Sequence, residues 1–312
     1  MTDVFFATLQ KVGMLLIFIG IGYFLRKRKQ LPDDSSKVLS KLAAMIFCPA
    51  YTIRNLSQNV TVDTIGQKVP LIFYGAICVI LVIGLAFILA KLLGRNDLEK
   101  RSLTYAFSIP NYGYFGYPII EGVFGSEVLA DIMIFIIPLS IATNTFGYLL
   151  FVKGGKLSLK QVVTNPTIMS VFVGVALGLS GIKLPGLVMD VLSGAGSCMS
   201  PVSMLLAGFV LGAYPLRKLM KGFRPYLISG IRLLGIPALF CAVLFLIGIR
   251  GEYLLFPLLI FSMPLGLNLV VFPESLGEDA SENAKLCFVS YILAAVILPI
   301  TFSAISWLAS LT

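Results

Sequence analysis

The residues best equipped for chemistry lie in two strings rich in proline, glycine and amide side chains. The first reads Phe107-Ser108-Ile109-Pro110-Asn111-Tyr112-Gly113-Tyr114-Phe115-Gly116-Tyr117-Pro118, and the second Phe261-Ser262-Met263-Pro264-Leu265-Gly266-Leu267-Asn268, with Pro273 beyond it. Proline removes a backbone donor and clashes with the preceding turn, and glycine adds freedom, so neither string continues a regular helix. A break inside an apolar segment exposes helix ends. An N-terminal end carries roughly +0.5 of an elementary charge and free N–H groups, which suits a carboxylate. Asn111 and Asn268 add side-chain amides at the breaks, and Asn144 adds one in a neighbouring segment, where helix–helix glue is its other role. The chemistry implied is reversible binding of a small anion.

Groups for bond-making chemistry are missing. The chain has no histidine, which removes Ser-His-Asp catalysis, histidine-ligated zinc and histidine proton relays. Ser197 and Ser200 have no evident base. Five cysteines (Cys48, Cys78, Cys198, Cys241, Cys287) lie far apart without Cys-x-x-Cys spacing and read as packing residues. All fifteen carboxylates fall in loops or within about a turn of an apolar segment's end, so neither a buried proton relay nor a cationic substrate is expected. Arg232 is the one basic residue well inside an apolar segment. It could attract an anion or a phosphate head group, and snorkelling of its guanidinium to the cytoplasmic side is the expected outcome. No catalytic residue, cofactor or metal site is expected.

These strings need apolar helices to carry them. The 312 residues are 58% hydrophobic and 12% charged, with the charges bunched between long apolar runs. A soluble domain carries roughly a quarter charged residues, so this is an all-α membrane protein. With about 20 residues per crossing, the chain holds about ten transmembrane helices. They are predicted near Val4–Leu25, Val38–Leu56, Val69–Leu93, Leu103–Val123, Val128–Val152, Pro166–Ile182, Val188–Tyr214, Pro225–Ile249, Tyr253–Pro273 and Ala284–Leu308. The fourth and ninth contain the two breaks. Alternate loops concentrate the basic residues: Arg26 to Lys29, then Lys91, Arg95, Lys100 and Arg101, then Lys153, Lys156 and Lys160, then Arg217, Lys218, Lys221 and Arg224. Positive residues favour the cytoplasm, which puts both termini outside it. The net charge of +9 thereby reflects topology rather than nucleic-acid binding. Gly174-x-x-x-Gly178 and Gly208-x-x-x-Gly212 predict close helix packing.

A repeat runs through the chain. Leu31-Pro32 recurs as Leu184-Pro185 at an offset of 153, and Pro49 recurs as Pro201 at 152. Phe107-Ser-Ile-Pro110 recurs as Phe261-Ser-Met-Pro264 at 154, and Gly125 recurs as Gly277 at 152. Five spans per copy is an odd number, so the second copy enters from the opposite side. Residues 1–153 and 154–312 are therefore read as inverted five-helix repeats, a recurring transporter architecture whose interrupted helices point to the binding site.

Pro110-Asn111 through Gly116-Tyr-Pro118 and Gly125, Asn165-Pro166-Thr167, Ser262-Met-Pro264 and Leu298-Pro299 together resemble the auxin efflux carrier family, which includes plant carriers and bacterial organic-acid permeases. The resemblance covers nearly the whole chain. It implies a fold like that of bile-acid sodium symporters, with helices four and nine crossing at Pro110 and Pro264 and Asn111 contacting the substrate. It also implies a scaffold of helices 1, 2, 6 and 7, a transport domain of helices 3–5 and 8–10 that moves as an elevator, and a homodimer through the scaffold. Leu265 stands where plant carriers tend to have a polar residue. Only Lys153–Thr164 joins the halves, in place of the long loop of many plant members, which fits a carrier of the bacterial inner (plasma) membrane. The substrate-binding set is Pro110, Asn111, Tyr112, Gly113, Asn144, Ser262, Pro264, Leu265 and Asn268. The function expected is secondary transport of a small organic anion; an anion-binding membrane sensor is the alternative.

Overall fold

A computed structural model describes residues 2–152 and 164–310. The boundary expected at 153/154 and the basic residues Lys153, Lys156 and Lys160 lie outside the described residues. Helix α1 is Thr2–Lys27; α2 runs 35–59 through a π-helical turn at Ala43–Phe47; α3 is Val62–Leu93. Helix α4 is split into α4a, Asp97–Ser108, and α4b, 112–124, and α5 into α5a, Ser126–Phe135, and α5b, Ile137–Gly147. Then come α6, Pro166–Ser180; α7, Gly186–Leu211; and α8, Arg224–Leu246. Helix α9 is split into α9a, Gly251–Phe261, and α9b, Asn268–Ser275, and α10 is Ser281–Ser310.

Local sequence explains these limits. Asn96 accepts the Glu99 N–H at 2.8 Å and starts α4a, Thr61 and Thr64 form a capping box that starts α3, and Asn165 accepts the Thr167 N–H at 3.0 Å ahead of Pro166. Gly125 and Gly277, repeat-related in sequence, both adopt positive φ (93° and 75°) just after α4b and α9b. That backbone disfavours any residue with a Cβ, so the chain turns by the same local device at both positions.

Among the described residues, five helices are long and apolar enough to cross a bilayer: α1, α3, α7, α8 and α10. A sixth is α5 if its halves, bent by 53° at Ile136, count as one span. The bend falls just before Pro138, which was not read from sequence. The predicted spans four and nine are each two short helices. Span three begins seven residues earlier than predicted, at Val62 rather than Val69. The surface is inverted relative to a soluble protein. Phe73, Ile80 and Leu92 of α3 are 68, 70 and 74% exposed, as lipid-facing residues are.

Close packing follows the small residues. A Cβ on Gly208 of α7 would lie 1.9 Å from the Ile19 carbonyl oxygen of α1, and one on Gly22 of α1 lies 2.0 Å from the Leu205 carbonyl. Likewise Gly178 of α6 abuts the Val60 carbonyl, at 2.2 Å, just beyond α2. The two glycine pairs read from sequence therefore bring α1 against α7 and α2 against α6. Helix α7 also packs on α2, while α3 lies against α4a and α5, and α10 against α1, α8 and α9a.

Candidate functional site: where two helix breaks cross

The site begins with backbone. Three residues, 109–111, separate α4a from α4b, and residues 262–267 separate α9a from α9b. The two unwound stretches meet. The Asn111 N–H donates to the Pro264 carbonyl at 2.8 Å, and Pro110 pairs with Leu265 as an isolated antiparallel bridge. A fragment of sheet thus replaces part of the hydrogen bonding that proline and glycine deny the helices, as apolar surroundings require. Helix α10 props the crossing from one side: its Ser290 Oγ accepts the Leu265 N–H at 3.2 Å, and its Tyr291 hydroxyl accepts from the Asn111 side chain at 3.0 Å.

Beside the crossing is a cavity of about 230 Å³. Asn111, Tyr112 and Gly113 line it at the start of α4b, and Gly266, Leu267 and Asn268 at the start of α9b. Both helix N-terminal ends therefore border the same space. Helix α5b contributes Thr143 and Asn144, the start of α6 Asn165 and Thr167, and α2 Ser40 and Cys48. No lining residue is charged. The amides are chained together: Asn165 donates to the Asn144 side-chain oxygen at 3.0 Å, and Asn144 donates to the Ser140 carbonyl at 2.8 Å. The Tyr112 hydroxyl donates to Ser140 Oγ at 3.1 Å. Positive potential comes from two helix ends and donors from neutral side chains, a set that can hold a carboxylate without a salt bridge.

Of the nine residues read from sequence, Pro110, Asn111, Tyr112, Gly113, Asn144 and Asn268 line the cavity. Ser262, Pro264 and Leu265 do not. The Ser262 hydroxyl donates to the Leu258 carbonyl in its own helix, Pro264 spends its carbonyl on Asn111, and the Leu265 side chain is fully buried. They form the back of the crossing. The amide of Asn111 is already engaged by Tyr291, leaving one N–H and the carbonyl oxygen for a ligand. Asn165, outside the set expected from sequence, also lines the cavity, although its place before Pro166 marks a helix cap. Ser40 and Tyr105 sit on regular helix and Thr143 opens a π-helical turn of α5b, and none of the three carries a linear signal.

Away from the cavity, α2 is tied to the α4b–α5a corner. Glu121 takes a hydrogen bond from the Tyr51 hydroxyl at 2.5 Å and an ion pair from Arg54. Asn55 donates to the Ser126 carbonyl at 3.3 Å, and the Tyr51 and Tyr117 rings stack 6.1 Å apart. A second ion pair, Lys68–Asp131, ties α3 to α5a.

Arg232 corrects an expectation. It does not snorkel: it is 0% exposed and donates to the Phe107 carbonyl at 2.9 Å. Its place in a π-helical turn of α8, Ile231–Gly235, packed against α10, leaves the side chain facing protein.

An integral membrane protein whose broken helices cross beside an uncharged polar cavity has the architecture of a membrane transport protein. The family model described as membrane transport protein matches residues 7–162 and 150–302, and the chain belongs to this family, the auxin efflux carrier family of the sequence resemblance. It is similar to an uncharacterized transporter of Methanothermobacter thermautotrophicus, 26% identical over 305 residues that cover 95% of this chain and 98% of that relative. It is also similar to an uncharacterized transporter of Methanocaldococcus jannaschii, 25% identical over 297 residues, covering 92% of this chain and 95% of the relative.

Proposed function

We propose that the protein is a secondary transporter of small organic anions, working by alternating access with an elevator-like movement. The observation that carries this reading is the convergence of two half-helix N-termini, from α4b and α9b, on one uncharged cavity at the crossing of the breaks. Together they offer roughly one positive charge without a mobile ion, which favours a carboxylate over a cation. The cavity, about 230 Å³, is smaller than the roughly 300–1,000 Å³ of drug-sized ligand sites, which favours a small acid, auxin-like or otherwise.

In this reading the chain crosses the bilayer about ten times as two inverted repeats, 1–153 and 154–312. Helices α1, α2, α6 and α7, joined through their glycine contacts, are the scaffold, and α3–α5 with α8–α10 are the transport domain. The homodimer would form through the scaffold. With basic loops in the cytoplasm and both termini outside it, the cavity faces inward and the Tyr51–Arg54–Glu121 seal closes the outer side of the plasma membrane.

The test is uptake of a panel of labelled organic acids into proteoliposomes, for wild type and Asn111→Ala. Saturable uptake of one acid, lost in the variant, supports both the carrier and its site. Uptake unchanged by Asn111→Ala refutes the site. Acid binding to purified protein with no uptake or counterflow under imposed voltage, proton and sodium gradients refutes the carrier and leaves an anion sensor.

A further inference from the structure

An arginine fully buried within an apolar span must be explained, because ionised groups at membrane depth are costly and mark function or structure that requires charge. Among the described residues, Arg232 forms no ion pair. Its single hydrogen bond goes to Phe107, and its Nε and Nη2 have no partner. Phe107 lies in the last turn of α4a, directly before the break. A helix C-terminus carries roughly −0.5 of an elementary charge on carbonyls that lack an intrahelical donor. In broken-helix transporters such carbonyl ends are where a dissociable cation is held. Here a side chain from α8 already occupies that role. The repeat-related positions of α3 hold Cys78, Val79 and Ile80, none of them basic. The device therefore sits at the first break, the one that carries Asn111.

We infer that Arg232 is a positioning residue whose guanidinium acts as a tethered cation on the C-terminal end of α4a, fixing the first break without a dissociable cation. The inference rests on the carrier reading for its functional consequence, which is anion transport that needs no sodium or potassium at this end. Its structural half stands without transport.

The experiment therefore has two readouts, on wild type, Arg232→Lys and Arg232→Ala. The first is the melting temperature of the purified protein with guanidinium at low millimolar concentration, against the same concentration of sodium, potassium or choline. Arg232→Ala should melt lower by about 2–4 °C or more, as loss of a buried charge-assisted hydrogen bond requires. Guanidinium should recover at least half of that loss, whereas wild type and Arg232→Lys should not respond. The second readout is proteoliposome uptake of the acid that wild type moves fastest, with choline replacing sodium and potassium. Wild-type uptake should be unchanged by the replacement. Uptake by Arg232→Ala should fall on the order of tenfold in maximal rate with a smaller change in half-saturation, and added guanidinium should restore it. An Arg232→Ala protein as stable as wild type, or one that guanidinium does not recover, overturns the tethered cation. Wild-type uptake that requires sodium or potassium overturns its functional consequence. If Arg232→Ala cannot be purified, Arg232→Lys decides: a cation in place should keep at least half the wild-type maximal rate, and an inactive but folded lysine variant overturns the inference. Absence of uptake in wild type removes the carrier reading and leaves the melting result to judge the cap.

Discussion

If the proposed carrier reading holds, replacing Glu121 by alanine should release the contacts that close the outer side and shift the protein towards an outward-facing state. In the structure this carboxylate takes a 2.5 Å bond from the Tyr51 hydroxyl and an ion pair from Arg54, both on α2, while it sits on α4b. The Arg54 and Glu121 side chains are 22 and 28% exposed, so solvent screens the pair but does not dissolve it. A partly exposed ion pair contributes about 0.5–1 kcal/mol and a hydroxyl–carboxylate bond about 1.5, giving about 2 kcal/mol in all. If α2 is scaffold and α4b moves, these contacts exist only with the cavity facing inward. Their loss should then raise the outward-to-inward ratio about 30-fold. The assay places a cysteine at Thr143, which lines the cavity, in a chain whose five native cysteines are replaced. The rate of modification by a membrane-impermeant maleimide added outside reports the outward-facing fraction. That rate should rise in near proportion, by one order of magnitude or more, in Glu121→Ala. An unchanged outer rate in a folded, cavity-competent variant refutes the assignment of Glu121 as a latch between scaffold and moving domain.

Four further outcomes follow from the packing. Gly208→Ala forces a Cβ to within 1.9 Å of the Ile19 carbonyl and should cost about 1–3 kcal/mol, lowering the melting temperature by several degrees. Gly66→Ala, where the added Cβ meets nothing within 4 Å, should leave it unchanged or raise it slightly. Lys68→Met alone strands Asp131 and should destabilise by about 3 kcal/mol, whereas Lys68→Met with Asp131→Leu should recover most of that loss in the same melting assay. Asn165→Ala removes both the α6 cap and the bond to Asn144, so it should weaken acid uptake with a larger rise in half-saturation than fall in maximal rate.

The sequence by itself determined what depends on neighbours along the chain. Apolar runs fixed the membrane as solvent, because a chain this poor in charge cannot clothe itself in water. Pro110, Pro264 and Gly266 fixed where helices stop, because a missing donor and a missing Cβ act within one turn. Gly125 and Gly277 recurred at an offset of 152, and the structure gives both positive φ. The spaced glycines of α6 and α7 announced close contacts without naming the partner. Only the tertiary structure decided the rest. It brought Asn111 to Pro264 across 153 positions, joined Asn165 to Asn144, and withdrew Ser262 and Leu265 from the cavity. It also turned Arg232 inward to Phe107, where sequence reading expected it to reach for water. The reason is one of range: backbone breaks are set by sterics within a few residues, whereas which side chain meets a break is set by how distant helices pack, and no local pattern encodes that.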